Sequence, residues 1–316
     1  MIKRAIFFFH FLLIFMIGHL ASQNGRILQE NEVPLTEELH FNILNFGKVL
    51  PKLTPFLEGI FKKAELVEVK EITYLSDRLK VKAFLLEPKK EGKYPCLIVN
   101  RGGNRNFGIW TREEAYFVLT EISSWGYVVA ASQYRGCGGG EGKEEFGGKD
   151  VDDILSLMPL LGSRKKTDPG RIGMLGMSRG GMMTYLALRG TNRIKAAAVV
   201  GGVTDLLSWE KARPEMREVF SELIGGDSKT ATEALKARSA IFWPEKISPQ
   251  TPILLLHGTA DERIPPKQAL EMASALLQAG HPFRLVMLEG GDHNLTDFWP
   301  EWLEIVKKWF AKYLSI

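Results

Sequence analysis

The sequence predicts an α/β fold in which a mostly parallel sheet is flanked by helices on both faces. Three observations predict it. Short continuous apolar runs, such as 94–100 (YPCLIVN), have no polar side, as expected of strands buried on both faces. Stretches with helical patterning alternate with such runs through most of the chain, which is how parallel strands are connected. Finally, 316 residues with 45% hydrophobic and 25% charged side chains are enough to build a sizeable core.

Residues 1–22 begin with Lys3 and Arg4, run apolar from Ala5 to Gly18 and exit through Ala21 and Ser22. That order describes a signal peptide, so the protein is expected to be exported, periplasmic or extracellular, with no stable membrane insertion after cleavage. Residues 23–64 are mixed in character and broken by Pro34, Pro51 and Pro55; they read as a helical prologue without visible chemistry. The main domain is expected over 65–316.

Residues 65–74 and 79–86 alternate apolar and polar around Ser76-Asp77-Arg78, the pattern of a strand pair. Strands are then expected at 94–100, 127–133, 171–177, 196–201, 252–256 and 283–288, with helices at 112–124, 150–161, 179–188, 267–278 and 300–314. Residues 203–250 interrupt the alternation and are expected to form a helical insertion near the active site. No internal repeat or low-complexity linker divides the chain.

Lys and Arg total 41 against 37 Asp and Glu, a net charge of +4 that gives no reason to expect nucleic acid or anionic lipid as a partner. Two cysteines, Cys96 and Cys137, exclude a disulfide framework and a multi-cysteine metal site. No metal-ligand cluster is visible, and Gly138-Gly139-Gly140 is not followed by the Lys-Ser/Thr pair of a phosphate loop. No cofactor is expected. The stripe Phe298, Trp302, Ile305, Trp309 and Tyr313 recurs at helical spacing and reads as core packing.

Gly176-Met177-Ser178-Arg179-Gly180 fits G-x-S-x-G. As a bare string the match is weak, but here a buried strand ends at Met177 and a helix opens at Arg179. A serine on so sharp a turn is held in a strained backbone, with glycines needed at its flanks, and its hydroxyl projects above the carboxyl end of the sheet. Ser178 is the expected nucleophile.

A serine nucleophile needs an adjacent base, most often histidine. Of six histidines, His10 and His19 fall in the signal segment, His40 in the prologue, and His281 at the wrong end of a parallel sheet. His257 ends a strand and is expected to order its turn. His293, in a glycine-loosened loop after the last strand, is placed to hang over Ser178. For the carboxylate that orients the base, Asp261 follows the 252–256 strand and gives the chain order Ser, Asp, His. Asp205 competes for that role, and Asp292 reads as a loop cap. Oxyanion donors are expected from the Arg179 backbone N–H and from the Arg101-Gly102-Gly103-Asn104 loop, where two glycines allow close approach.

Several ordered stretches resemble the catalytic domain of the prolyl oligopeptidase family, within the α/β-hydrolase fold. They are Gln133-Tyr134-Arg135-Gly136, Phe146 to Asp153, Asp168 to Gly173, the serine elbow with Gly181, Gly201 to Asp205, His257 to Asp261, and Gly291-Asp292-His293. The resemblance spans roughly residues 65–314 and implies Ser178, Asp261 and His293 as a triad. Many members carry a β-propeller before this domain, for which the chain has no room. Some use a tyrosine side chain in the oxyanion hole; that position here is Arg101, so the hole is expected to be backbone-only or to use Arg101 differently. The acidic residues that grip a peptide N-terminus in aminopeptidase members lie in the propeller, so exopeptidase cleavage is not implied.

The expected function is that of a secreted serine hydrolase acting on a small-molecule or short-peptide substrate, of peptidase type. A carboxylesterase is the alternative on the same residues. A binding protein that has kept the fold without catalysis is the remote one. The sequence does not speak to oligomeric state.

Overall fold

Between the expected signal segment and the hairpin, the chain adds a strand that its composition does not announce. The computed structural model describes residues 23–49, 54–226 and 228–315; the signal segment 1–22 lies outside the described residues. Within the 23–64 prologue, β1 (Ile27–Glu32) pairs antiparallel with β2 (Val67–Ser76), so this segment belongs to the main sheet. Two helices follow β1, α1 (Glu37–Val49) and α2 (Thr54–Ala64), and bury Leu39, Ile43, Leu57 and Ile60 against one face of that sheet.

The hairpin closes between β2 and β3 (Leu79–Pro88) through Asp77 and Arg78, both at positive φ (48° and 69°). Two consecutive left-handed residues give a turn whose twist matches that of the strands it joins. The remaining strands are β4 (Tyr94–Asn100), β5 (Val128–Ser132), β6 (Thr167–Met177), β7 (Ile194–Val200), β8 (Ile253–Gly258) and β9 (Phe283–Leu288). Among the described residues they make one nine-stranded sheet in the order β1-β2-β3-β5-β4-β6-β7-β8-β9. β3 meets β5 antiparallel, and every pairing from β5 to β9 is parallel.

Helices link the parallel strands, three of them between β7 and β8, and one more closes the chain. A run of Arg112–Glu114, a π-helical turn Ala115–Leu119 and Thr120–Ser123 forms α3. The others are α4 (Asp150–Ser163), α5 (Arg179–Gly190), α6 (Leu206–Ala212), α7 (Met216–Leu223), α8 (Ser228–Arg238), α9 (Lys267–Gln278) and α10 (Trp299–Leu314). The apolar core is split by the sheet into two layers. One holds Leu157, Met183, Phe220 and Met272 from α4, α5, α7 and α9; the other holds Leu119, Trp302 and Phe310 from α3 and α10, together with α1 and α2. Of the C-terminal stripe, Trp302 and Trp309 are buried, while Phe298, Ile305 and Tyr313 pack at the layer's margin. Cys96 and Cys137 are both free and buried.

The edge formed by β1 is secured by charge. Arg164, capping α4, donates to Glu30 of β1 at 2.8 Å and to Glu87 of β3 at 3.0 Å, and Lys70 of β2 pairs with Glu30 and Glu87 at 3.1 and 2.9 Å. No helix among the described residues is long and apolar enough to cross a membrane.

Candidate active site

The turn from β6 into α5 fixes Ser178. Its φ is +57° with ψ −125°, a strained conformation for a residue with a side chain. The flanking glycines follow from contact distances. A Cβ on Gly180 would lie 2.0 Å from the Asn100 carbonyl oxygen, and one on Gly176 would lie 2.2 Å from the Gly180 carbonyl oxygen. The strained turn is anchored by the Ser178 N–H, which donates to the Val200 carbonyl at 2.9 Å.

Three loops at the carboxyl ends of β6, β8 and β9 bring Ser178, Asp261 and His293 together. His293 Nε2 lies 3.0 Å from Ser178 Oγ, and His293 Nδ1 lies 2.8 Å from Asp261 Oδ2. Beside a carboxylate Nδ1 carries the proton, which leaves the Nε2 lone pair to accept from the serine hydroxyl. The other carboxylate oxygen accepts the N–H groups of Arg263 and Ile264, both at 2.9 Å. Burial alone would raise the Asp261 carboxyl, but hydrogen bonds from His257 and His293 outweigh it and hold it well below the usual carboxylate range.

His257 has a larger part than ordering its turn. Its Nε2 lies 3.0 Å from the Ile264 carbonyl and 3.0 Å from Asp261 Oδ2, so it supports the carboxylate from behind. Both neighbours accept, so Nε2 carries its proton. The other candidates are held elsewhere. Asp205 caps α6 by accepting from Leu207 and Ser208 at 2.9 and 3.1 Å. Asp292 accepts from the Thr296 N–H at 2.9 Å. His281 binds the Ser248 carbonyl at 2.8 Å, and His40 stacks on Phe61.

The Arg101–Asn104 loop passes directly against the nucleophile: a Cβ on Gly102 would be 3.0 Å from Ser178 Cβ and 3.5 Å from Oγ. Among the described residues, the backbone N–H groups of Gly102, Gly103 and Arg179 have no protein acceptor. The expectation that the Arg101 side chain could itself face an oxyanion is corrected. Nε donates to Gln133 O, Nη1 to Gly102 O and Phe107 O, and Nη2 to Arg105 O and Gln133 O. A guanidinium has only five N–H groups, and all are engaged with backbone carbonyls. Arg101 is a brace for the loop.

Sequence reasoning missed the side chain of Arg179. It is buried, donates to the Gly103 carbonyl at 3.1 Å, and pairs with Glu144 and, at 2.6 Å, with Asp150. Glu144 in turn accepts the Arg105 N–H. The guanidinium lies over the rings of Phe146 (4.4 Å) and Tyr134 (5.1 Å). Burial pulls Arg179 down to about 9 and pushes Asp150 up to about 7. The signal available in the sequence was acidic Glu144 and Asp150 flanking Phe146, close to the Gly-rich loop.

A cavity of about 520 Å³ opens over Ser178 and His293. Its lining includes Trp209, Arg213 and Met216 of the α6–α7 region with Arg263, and also Phe107, Trp110, Glu114, Phe117, Trp299 and Trp302. The assembly offers a hydroxyl next to a base, a carboxylate that steadies the base, and backbone donors at the hydroxyl's flank. That is what acyl transfer through a covalent intermediate requires.

The model of the prolyl oligopeptidase family matches residues 112–316. The peptidase YtmA of Bacillus subtilis, described as uncharacterized, is 33% identical over 217 residues, covering 68% of this chain and 82% of that protein. Peptidase YuxL of the same organism is 30% identical over 239 residues, and the match covers 72% of this chain but 35% of YuxL. Among solved structures, the acylaminoacyl peptidase of Pyrococcus horikoshii superposes with a TM-score of 0.69 at 23% identity, over 80% of this chain and 43% of that one. At that identity the likeness speaks to the fold, an α/β-hydrolase. The chain thus spans most of YtmA but about a third of YuxL and less than half of the Pyrococcus enzyme.

Proposed function

Because the chain belongs to the prolyl oligopeptidase family, whose members are serine hydrolases, we propose that it is a serine peptidase in which Ser178, His293 and Asp261 are the catalytic triad. The observation that carries the reading is the continuous chain of contacts from Ser178 Oγ to His293 at 3.0 Å and from His293 to Asp261 at 2.8 Å.

In this mechanism His293 Nε2 takes the hydroxyl proton as Ser178 Oγ bonds to the substrate carbonyl carbon, and Asp261 stabilises the imidazolium. The negative oxygen of the tetrahedral intermediate is held by the Arg179 N–H and by an N–H of the Gly102–Gly103 backbone. His293 then gives its proton to the leaving amine as the C–N bond breaks, leaving an acyl-enzyme. Water repeats the sequence, with His293 first as base and then as acid, and releases the carboxylic acid and free Ser178. Esters follow the same route and are easier, because the leaving oxygen depends less on protonation. We place the substrates among short peptides and small esters. The protein is proposed to be exported, on the strength of the Lys3-Arg4 start and the apolar run to Gly18.

A fluorophosphonate probe tests the core of the proposal: it should label the protein, and Ser178→Ala should abolish labelling. A series of acyl nitrophenyl esters and a panel of dipeptide and tripeptide anilides then separate the activities. Ester turnover without Ser178-dependent cleavage of any anilide would make the protein a carboxylesterase. Determining the N-terminal residue of the protein recovered from cells tests export, and an intact Met1 would count against it.

A further inference from the structure

Glu114 is a partly buried carboxylate at the wall of the active-site cavity, and the proposed mechanism has no use for it. Among the described residues it makes no ion pair. Oε2 accepts the Thr111 N–H at 3.0 Å in a capping box at the start of α3, and its hydrogen bonds found among the described residues all come from Thr111. Burial raises its pKa and Glu113 next to it adds to the effect; the bonds to Thr111 and, less strongly, the charge of Arg101 oppose it, and the rise prevails. A charge left in this condition favours a cation beside it.

The surroundings suit a cation. At the Glu114 end stands Phe117, three residues on along α3; Phe107, Trp110, Trp299 and Trp302 line the same cavity. Phe117 and Trp299 stack at 4.9 Å, and Trp302 stands nearly perpendicular to Trp299 with centroids 5.1 Å apart. The Nε1 atoms of Trp110, Trp299 and Trp302 are buried, so the rings turn mainly carbon surface toward the cavity. Aromatic faces attract ammonium and guanidinium groups, more strongly where water is excluded. Four arginines line the cavity, and none makes an ion pair with Glu114: Arg179 pairs with Glu144 and Asp150, Arg213 with Glu215, Arg263 sits against Trp209, and Arg101, whose charge reaches Glu114, gives all its N–H groups to carbonyls.

We propose that this end of the cavity is a subsite for a cationic group of the substrate, an ammonium or guanidinium held against the aromatic wall with Glu114 as counter-charge. The inference rests on the hydrolase reading above and adds a substrate class to it: cleavable esters or amides that carry a positive charge near the scissile bond.

The test compares matched substrates. One pair places the charge on the acyl side, the 4-nitrophenyl esters of Nα-acetyl-lysine and Nα-acetyl-norleucine. The other places it on the leaving-group side, butyrylcholine and its uncharged isostere 3,3-dimethylbutyl butyrate. We expect kcat/KM to favour the charged member of at least one pair by about tenfold. Glu114→Gln should remove most of that preference, mainly through KM. Glutamine also serves at this position of a capping box, so the variant should fold. Phenyltrimethylammonium should inhibit competitively, and less well in Glu114→Gln and in Trp299→Leu. Turnover of both pairs with no preference for charge, or a preference unchanged in Glu114→Gln, would overturn the subsite while leaving the hydrolase intact. A protein that neither takes the fluorophosphonate label nor hydrolyses any of the four would overturn both.

Discussion

Arg101 donates twice to the carbonyl oxygen of Gln133, from Nε at 3.1 Å and from Nη2 at 2.9 Å, which ties the loop after β4 to the end of β5. The loop that skirts Ser178 therefore owes its position to a side chain whose N–H groups are all given to backbone carbonyls. Arg101→Met should lower kcat by about 100-fold or more, comparable to the loss of an oxyanion donor, with a much smaller change in KM. Arg101→Lys should recover little, since an ammonium cannot reproduce the planar fork. Steady-state kinetics on an activated ester check this. A large rise in KM at unchanged kcat would contradict it.

Asp261 and Asp205 differ in consequence although both follow sheet strands. Asp261→Asn should leave the fold intact and reduce kcat by about 10⁴, because the amide no longer fixes the right histidine tautomer. Asp205→Asn should change activity little, since asparagine caps a helix nearly as well as aspartate. Assaying the two variants side by side decides it, and the reverse result would move the acid to the end of β7.

Gly102→Ala should be an activity lesion more than a stability lesion. The added methyl would sit 3.0 Å from Ser178 Cβ, tight enough to push the serine or the loop aside. A drop in kcat of about tenfold or more, with slowed fluorophosphonate labelling and a melting temperature within a few degrees of the parent, is the expected pattern. Gly180→Ala is expected to behave differently. Its methyl would meet the Asn100 carbonyl oxygen at 2.0 Å, which neither backbone can accommodate, and little folded protein should be recovered.

The parallel strands were legible because burial on both faces leaves an uninterrupted apolar run, as in 94–100, and the site was legible because its residues stand at the ends of such runs. β1 was not legible. Its residues after Ile27 are exposed and, Leu28 apart, polar (LQENE), and it joins the sheet through backbone hydrogen bonds that composition does not reveal. The work of Arg101 was hidden for a related reason. Its acceptors are main-chain carbonyls, one of them 32 residues away, and any residue type supplies such a carbonyl. Glu114 reads in sequence only as part of a helix start; its place in the cavity wall depends on α10 packing opposite.

Arg164→Ala should loosen the β1 edge. Arg164 is 21% exposed and Glu87 only 4%, so removing the guanidinium leaves a nearly buried carboxylate with Lys70 alone, a loss of about 2 kcal/mol. Burial would raise Glu30 and Glu87, but the bonds from Arg164 and Lys70 prevail and lower both. A depressed carboxyl adds stability above its unfolded-state value and loses it as pH falls through the folded one. The gap between parent and variant should thus be full at pH 7 and close as pH drops below about 4. Urea denaturation at several pH values measures it, and a gap that widens in acid would refute the assignment.

The π-helical turn in α3 closes a wider ring than its neighbours, with the Thr120 N–H reaching back five residues to the Ala115 carbonyl. An ordinary helix would join the same two ends with one residue fewer. Loss of a single codon between Ala115 and Leu119 would therefore return the segment to ordinary helix, keeping both flanks in register and re-aiming only the residues between them. Phe117 and Val118 would leave the cavity wall, and Ser178, on a separate element, would stay where it is. A lineage could in this way exchange one substrate preference for another through a minimal deletion, without touching the proposed triad.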